Sequence, residues 1–256
     1  MEILMYHHIC DDTVVPRSRY EINASVFRKQ MQFLSSHGYY TPRLKDVRRT
    51  TERRSGKKPI VITFDDGYMD TYRNAFPVLK EFGLCAVFFV VTDFSRSTNW
   101  WDIGIQNSGQ ELLKPQHIKE MWQAGMDFGT HSFSHAQLPL IGDEQLRVEL
   151  QGSMAALMAI APGETAAIAY PYGSVDMRVK LATQKAGYAC GFAAHSGPLR
   201  CFTDPFEIRR VFMSNRCSNS YLRFKFSGTD RLIRWTTGNI KRVFHLQAIS
   251  SALGGG

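Results

Sequence analysis

Ile60-Val61-Ile62-Thr63-Phe64-Asp65-Asp66-Gly67 is an apolar, β-branched run that stops in two carboxylates and a glycine. Such a run reads as a strand buried on both faces, the kind found in parallel sheets. Bare carboxylates are costly in a core, so two adjacent acids mark the point where the strand leaves it. In α/β sheets and barrels that point is the carboxyl end of the strands, where these folds keep their chemistry. Neighbouring strand residues face opposite ways. Asp65 and Asp66 can therefore serve one site only if the backbone turns between them. Gly67 is the residue expected to permit the turn, because it tolerates dihedrals that others resist.

Outward from this strand, helical and strand patterns alternate. Upstream, residues 3–5 form a first strand that runs into Tyr6-His7-His8. A helix follows with Phe27, Met31 and Leu34 on one face, capped by Asn23 or Ser25 and ended by Gly38. Residues 43–49 suggest a helical turn, and residues 48–58, with six Lys and Arg around Ser55-Gly56, a solvated loop. Downstream, residues 68–82 are helical in pattern, with Pro77 expected to kink or restart the helix. Residues 84–91 form a second buried strand, and 92–110 a long loop carrying Trp100-Trp101. Two readings of these tryptophans stand, a stack for a sugar ring or a cap on the core beneath.

Pro115 opens a helix with Ile118, Met121 and Trp122 inward. Residues 126–129 form a third strand leading into Thr130-His131-Ser132-Phe133-Ser134-His135. Asp143 is expected to cap a helix with Leu146, Leu150, Met154 and Leu157 inward. Residues 167–170 form a fourth strand ending in Pro171-Tyr172-Gly173, and Ser174 is expected to cap the helix that stops at Gly187. Residues 188–194 and 207–213 are the last strands. The alternation calls for an α/β fold with a parallel sheet, open or closed, and its site at the strand carboxyl ends. Residues 1–228 are expected to form one domain, followed by a basic tail, 229–256, of mixed basic, aromatic and aliphatic residues. For that tail, peripheral contact with a membrane and docking on the domain are both open.

The 256 residues suffice for a sizeable core, and 44% apolar with 21% charged residues is ordinary globular composition. The net charge of +8 suits anionic neighbours or simply a basic surface. No nucleic-acid motif is present, so no nucleic-acid partner is expected. Five widely spaced cysteines without a CxxC pair indicate neither a zinc ribbon nor a disulfide framework, and fit a reducing compartment. Cys85 and Cys190 fall in expected strands as small core residues. The first residues show no basic segment followed by an apolar one, and no run is long enough to span a bilayer. The expected location is cytoplasmic, with the inner membrane face as a place of contact.

Four strand ends thus carry polar groups: His7-His8, Asp65-Asp66, His131 with His135, and Tyr172-Gly173. One carboxylate and two imidazoles make a common open zinc site, leaving room for water and a substrate oxygen. Each motif alone is weak; their joint placement at strand ends of one α/β domain is specific.

Thr63-Phe64-Asp65-Asp66-Gly67, His131-Ser132-Phe133-Ser134-His135 and Tyr170-Pro171-Tyr172-Gly173 together resemble the three leading motifs of the polysaccharide deacetylases, the NodB-homology group or carbohydrate esterase family four. The likeness runs from about Leu4 to Val211, and Leu4-Met5-Tyr6-His7-His8-Ile9 resembles the biofilm poly-N-acetylglucosamine deacetylase subgroup. The resemblance implies a distorted (β/α) barrel with fewer than eight strands, circularly permuted relative to the family. It also implies a divalent metal, zinc foremost with cobalt, nickel or manganese as alternatives, and removal of acetyl from an N-acetylated saccharide.

By position Asp65 matches the catalytic base, and Asp66, His131 and His135 the metal ligands. Pro171, Tyr172 and Gly173 match the segment that holds substrate and oxyanion. Two departures stand out. The arginine that commonly opens the third motif is Ala169 here, and Arg210, in Glu207-Ile208-Arg209-Arg210-Val211, resembles a subgroup position that could substitute. The family's late histidine is missing, which makes His7 the candidate acid and His8 the second candidate. Two adjacent acids argue against a glycosidase, whose carboxyls flank the scissile bond about 5 Å or more apart. An amidohydrolase acting on a small amide or cyclic imide, and a non-catalytic saccharide binder, are the competing readings.

Overall fold

Ten strands and six α-helices alternate along the computed structural model, which describes residues 1–47, 56–102, 109–163, 166–194 and 203–226. In chain order they are β1 (Glu2–Tyr6), β2 (His8–Cys10), β3 (Glu21–Asn23), α1 (Ala24–Ser36), β4 (Tyr39–Tyr40), β5 (Lys58–Phe64), α2 (Phe76–Glu81), β6 (Val87–Val90), α3 (Pro115–Gln123), β7 (Asp127–Thr130), α4 (Asp143–Met158), β8 (Ala167–Ala169), α5 (Met177–Lys185), β9 (Cys190–Phe192), β10 (Val211–Phe212) and α6 (Asn219–Lys225). The chain divides into two units, Met1–Arg216 and Cys217–Gly256. In the second, Ser218 caps α6 by accepting from the Tyr221 N–H. Most of the basic loop at 48–58, and the whole tail with its expected boundary at 228, lie outside the described residues.

Seven strands run parallel in the order β10-β1-β5-β6-β7-β8-β9. β4 adds a short pairing with Lys58 and Pro59 at the start of β5, and β2 pairs with β3 apart from this sheet. The segment leading into β10, at one edge of the seven, also reaches β9 at the other. Ile208 bridges to Phe192 of β9 and its N–H donates to the Gly191 carbonyl, while Val211 on the same segment pairs with Leu4 of β1. The sheet curls into a distorted (β/α) barrel with fewer than eight strands, as the motifs led one to expect. The N-terminal strand lies between β5 and the last strand, β10.

The two-residue period of a strand sorts each strand into an inward and an outward row. Ile3, Val61, Val87, Phe89, Ala167, Ala169, Phe192 and Ile208 form one buried cluster inside the curl. The alternate residues face the helices: Phe64 packs on Phe27 of α1 and stacks on Phe88, which stacks on Phe128. A second cluster joins Ile168 and Tyr170 to Leu146 and Leu150 of α4 and Val179 of α5.

Local details depart from expectation where a competing partner wins. Asp176, not Ser174, caps α5, its carboxylate accepting from the Val179 N–H; Pro171–Gly173 form a 3-10 turn first and the chain runs on extended before the helix starts. Gly142 occupies the N-cap of α4, with Asp143 already in its first turn. Asn23 sits at the N-cap of α1, but its side-chain amide donates instead to the Asp11 and Val14 carbonyls. The helix expected over 68–82 is a π-helical turn, Thr71–Ala75, followed by α2, whose first turn holds Pro77. Cys85 lies before β6 rather than in it, with its N–H donating to the Thr41 hydroxyl.

Gly129 tests the packing inside the curl. A Cβ there would lie 2.5 Å from Phe89 Cε1 and 2.8 Å from the Ala167 carbonyl oxygen. Gly129→Ala is expected to cost about 1–3 kcal/mol by overpacking, read as a lower urea midpoint at an unchanged slope; an unshifted midpoint would contradict the tight inner packing.

Candidate active site

The inward rows continue past the strand ends into the polar groups. His7 follows Ile3 and Met5, Asp65 follows Val61 and Thr63, His131 follows Gly129, and Arg210 follows Ile208. β1 and β5 pair up to Tyr6 and Phe64, and the Asp65 N–H still donates to the Tyr6 carbonyl at 3.0 Å. The chain then turns, and the turn begins one residue earlier than expected: Asp66 itself has φ 71° and Gly67 φ 78°. Asp visits this left-handed region more readily than bulkier residues do. Gly67 is fixed twice over, since an added Cβ would also lie 3.0 Å from Val90 Cγ1.

Asp65 is 3% exposed and meets Arg210, 2% exposed, in a two-pronged pair. Arg210 Nη1 donates to Oδ1 at 2.6 Å and Nη2 to Oδ2 at 2.7 Å. The rest of the guanidinium is also used: Nε donates to the Ala193 carbonyl and Nη1 to the Thr63 hydroxyl. Thr63 in turn donates to the Leu4 carbonyl. Burial alone would raise the Asp65 carboxyl, but the Arg210 guanidinium more than offsets it and holds the group below the usual carboxylate range. Arg210 thus occupies the place on this acid that Ala169 cannot fill.

Asp66, His131 and His135, all buried, converge beside this pair, with one ligand-type atom from each within 4.8 Å of the others. His131 Nε2 lies 3.1 Å and His135 Nε2 3.3 Å from the same Asp66 Oδ1. His131 Nδ1 meets the Ala169 carbonyl at 2.8 Å, which turns Nε2 toward Asp66 as the nitrogen available to a metal ion. Ligand atoms around a tetrahedral zinc sit about 3.3 Å apart, so the two nitrogens and the carboxylate oxygen fit a divalent ion. Burial pushes the Asp66 carboxyl up, yet the two imidazoles outweigh it and hold it well below its ordinary value.

The remaining residues shape a cleft of about 370 Å³. His7 Nε2 faces Asp65 Oδ2 at 3.9 Å, and burial lowers the His7 ring to a pKa of about 4. His8 behaves differently. Its Nδ1 meets Asp70 Oδ2 at 2.8 Å and its ring stacks on Tyr68. Burial lowers the His8 ring, but Asp70 outweighs that and raises it overall. Trp101 stacks on His135 at 4.4 Å and lines the cleft, while Trp100 lies under the Arg96 guanidinium. Tyr172, with φ 59° and a ring edge-on to His135, forms a wall that is 57% exposed. Gly173, at φ 65°, admits no side chain, because a Cβ would fall 2.3 Å from that of Ala194. Pro171, just before, is buried. All ten residues given a candidate site role from sequence, His8 included, therefore gather at one end of the barrel.

Tyr20 and Asp102 also line the cleft, and neither was foreseen. Both come from irregular segments without local periodicity; the only signal was the length of the loop carrying Asp102.

A buried, arginine-held carboxylate beside a carboxylate and two imidazoles, at the carboxyl ends of barrel strands, defines a hydrolase-type centre. The chain belongs to the polysaccharide deacetylase family, whose pattern it matches over residues 52–191. It is 29% identical over 207 residues to the poly-beta-1,6-N-acetyl-D-glucosamine N-deacetylase of Staphylococcus epidermidis, which covers 77% of this chain and 69% of that protein. Its fold is similar to that of the Streptococcus pyogenes deacetylase PplD in complex with acetate, with a TM-score of 0.76, 25% identity, and coverage of 89% of this chain and 98% of that one. It is also similar to IcaB from Ammonifex degensii, with a TM-score of 0.69, 25% identity, and coverage of 86% and 94%.

The His8–Asp70 pair makes a pH-dependent contribution to stability. A ring whose folded pKa is raised stabilises fully below the unfolded value of about 6.5, and that contribution is lost as pH rises through the folded value. Asp70→Asn is therefore expected to destabilise by about 1–3 kcal/mol at pH 6 and by less at pH 9 in urea titrations. An equal loss at both pH values would contradict the charged pair.

Proposed function

We propose that the chain is a metal-dependent hydrolase that removes N-acetyl groups from an N-acetylated sugar in a polysaccharide or in a glycolipid- or nucleotide-linked intermediate. The observation that carries this reading is the pairing of two unlike acids. Asp65 is engaged by Arg210 and stands outside the ligand cluster, while Asp66 is engaged by His131 and His135. Adjacent carboxylates with such different partners suit different tasks, one to accept a proton and one to ligate.

Asp66, His131 and His135 would hold a divalent ion, zinc being the first choice for this donor set, which would supply Lewis acidity to polarise an amide carbonyl and acidify water. Asp65 is ionised at neutral pH, and its Oδ2 takes a proton from the attacking water. His7, neutral at rest with a pKa of about 4, receives that proton at Nε2 across the 3.9 Å gap. It then delivers the proton to the departing nitrogen, so that water and amide give acetate and a free amine. The main-chain N–H of Tyr172, in the cleft-lining turn with Pro171 and Gly173, is the donor that would steady the oxyanion of the tetrahedral adduct. Arg210 fixes the plane of Asp65 and keeps it charged.

Two aromatic walls favour a saccharide over a small amide. Trp101 and the half-exposed Tyr172 carry the cleft to the protein surface, as a chain of sugars requires. The names of the relatives point the same way, to poly-N-acetylglucosamine.

Asp65→Asn, loaded with zinc, is expected to retain the metal and lose about 10²–10⁴-fold in turnover, measured as acetate released from β-1,6-linked N-acetylglucosamine oligomers. Near-parental turnover by this variant, or no acetate from the loaded parent on any N-acetylhexosamine oligomer or lipid- or nucleotide-linked sugar, would overturn the proposal.

A further inference from the structure

α4 lies beneath the loop that carries both imidazoles of the cluster. Its Glu149, 4% exposed, grips that loop by three hydrogen bonds. Glu149 Oε2 accepts from the Phe133 N–H at 2.8 Å and the Ser134 N–H at 2.9 Å, and Oε1 accepts from the Ser134 hydroxyl. Two successive N–H groups aimed at one point form a concavity that suits an anion.

The same helix holds the start of the loop. Ser153, one turn on from Glu149, bonds the Tyr188 hydroxyl at 2.8 Å, and Tyr188 bonds the Thr130 hydroxyl, also at 2.8 Å. Thr130 directly precedes His131. Between them on α4, Gly152 lies against Phe133, where a Cβ would meet the ring at 3.5 Å. The loop needs this support. Ser132 at φ 61° and His135 at φ 63° both occupy the left-handed region without being glycine. Each such residue costs on the order of 1–3 kcal/mol and persists only where its surroundings dictate it.

We infer that Glu149 is a positioning residue for the metal site. Its carboxylate fixes the backbone at Phe133 and Ser134, and so sets the reach of His135 Nε2 toward Asp66 and His131. It touches neither substrate nor reacting atoms. This rests on the metal-site reading above and assigns a second layer to it. Shortening or removing the side chain frees the loop to relax and spreads the donor atoms; keeping its length keeps them together. A glutamine can do the latter, its oxygen accepting from the two N–H groups and its amide donating to the Ser134 hydroxyl.

The test is zinc affinity of the metal-free protein, by competition with a chromophoric chelator, with the absorption spectrum of the cobalt form as a second readout of geometry. Glu149→Gln is expected to bind zinc within about threefold of the parent. Glu149→Ala is expected to bind about 10–100-fold more weakly, the usual effect of losing an outer-shell partner, and to change the cobalt spectrum. Should Glu149→Ala not fold, Glu149→Asp, which keeps the charge but is one methylene shorter, is expected to lose at least about tenfold. Leu146→Val, a core truncation on the same helix, controls for stability and should leave affinity unchanged. Parental affinity and spectrum in the folded Ala or Asp variant overturns the inference, as does an equal loss in Leu146→Val. A parent that binds no zinc overturns the metal-site reading instead.

Discussion

A carboxylate at the end of an inward-facing row of a barrel strand has nowhere to put its charge. Below Asp65 the row is Val61 and Thr63, and the interior it faces is aliphatic and aromatic. A bare charge there would be lost to protonation, because burial penalises the ionised form. Arg210 removes the penalty, and it comes from a segment that bonds both to β9 and to β1. The segment that bonds to both ends of the sheet thus also supplies the charge that keeps Asp65 ionised. An arginine at position 169, on β8, would separate the two roles. Here Ala169 packs into the core instead, and its carbonyl accepts from His131.

The second constraint is conformational. Among the described residues, the non-glycine residues at positive φ are Asp66, Ser132, His135 and Tyr172. All four lie just past the carboxyl ends of parallel strands, and three of them line the cleft. Strand alternation would send Asp66 and Tyr172 away from the barrel axis; a left-handed residue redirects them. The strain is held by neighbouring groups, such as Glu149 under the histidine loop and Gly67 and Gly173 in their tight settings. Backbone strain gathered at one end of an otherwise regular sheet is what a preorganised centre requires.

Much of this was legible in the sequence because period and chemistry coincide there. The strand around Ile62 stops at Asp65 because a carboxylate cannot continue the core, and the histidine pair and Tyr172-Gly173 stop their strands in the same way. Other features needed three dimensions. His7 and His8 are equivalent in composition, yet His7 sits beside Asp65 in the inward row while His8 is claimed by Asp70, far along the chain. Nothing local announces that partnership. The family match spans residues 52–191 and so leaves out both His7 and Arg210, the two groups that flank Asp65. Helix starts were misplaced where a short turn intervened, as at Asp176. The walls supplied by Tyr20 and Asp102 come from irregular segments, in which side-chain direction follows no period.

The proposed hydrolysis depends on one ion seated between three donor atoms. The most direct measurement is anomalous diffraction at the zinc absorption edge from crystals of the zinc-loaded protein. A single strong peak is expected about 2.0–2.2 Å from Asp66 Oδ1, His131 Nε2 and His135 Nε2, with Asp65 still paired to Arg210. No peak between those atoms, or a peak that recruits Asp65 as a ligand in place of Asp66, would contradict it.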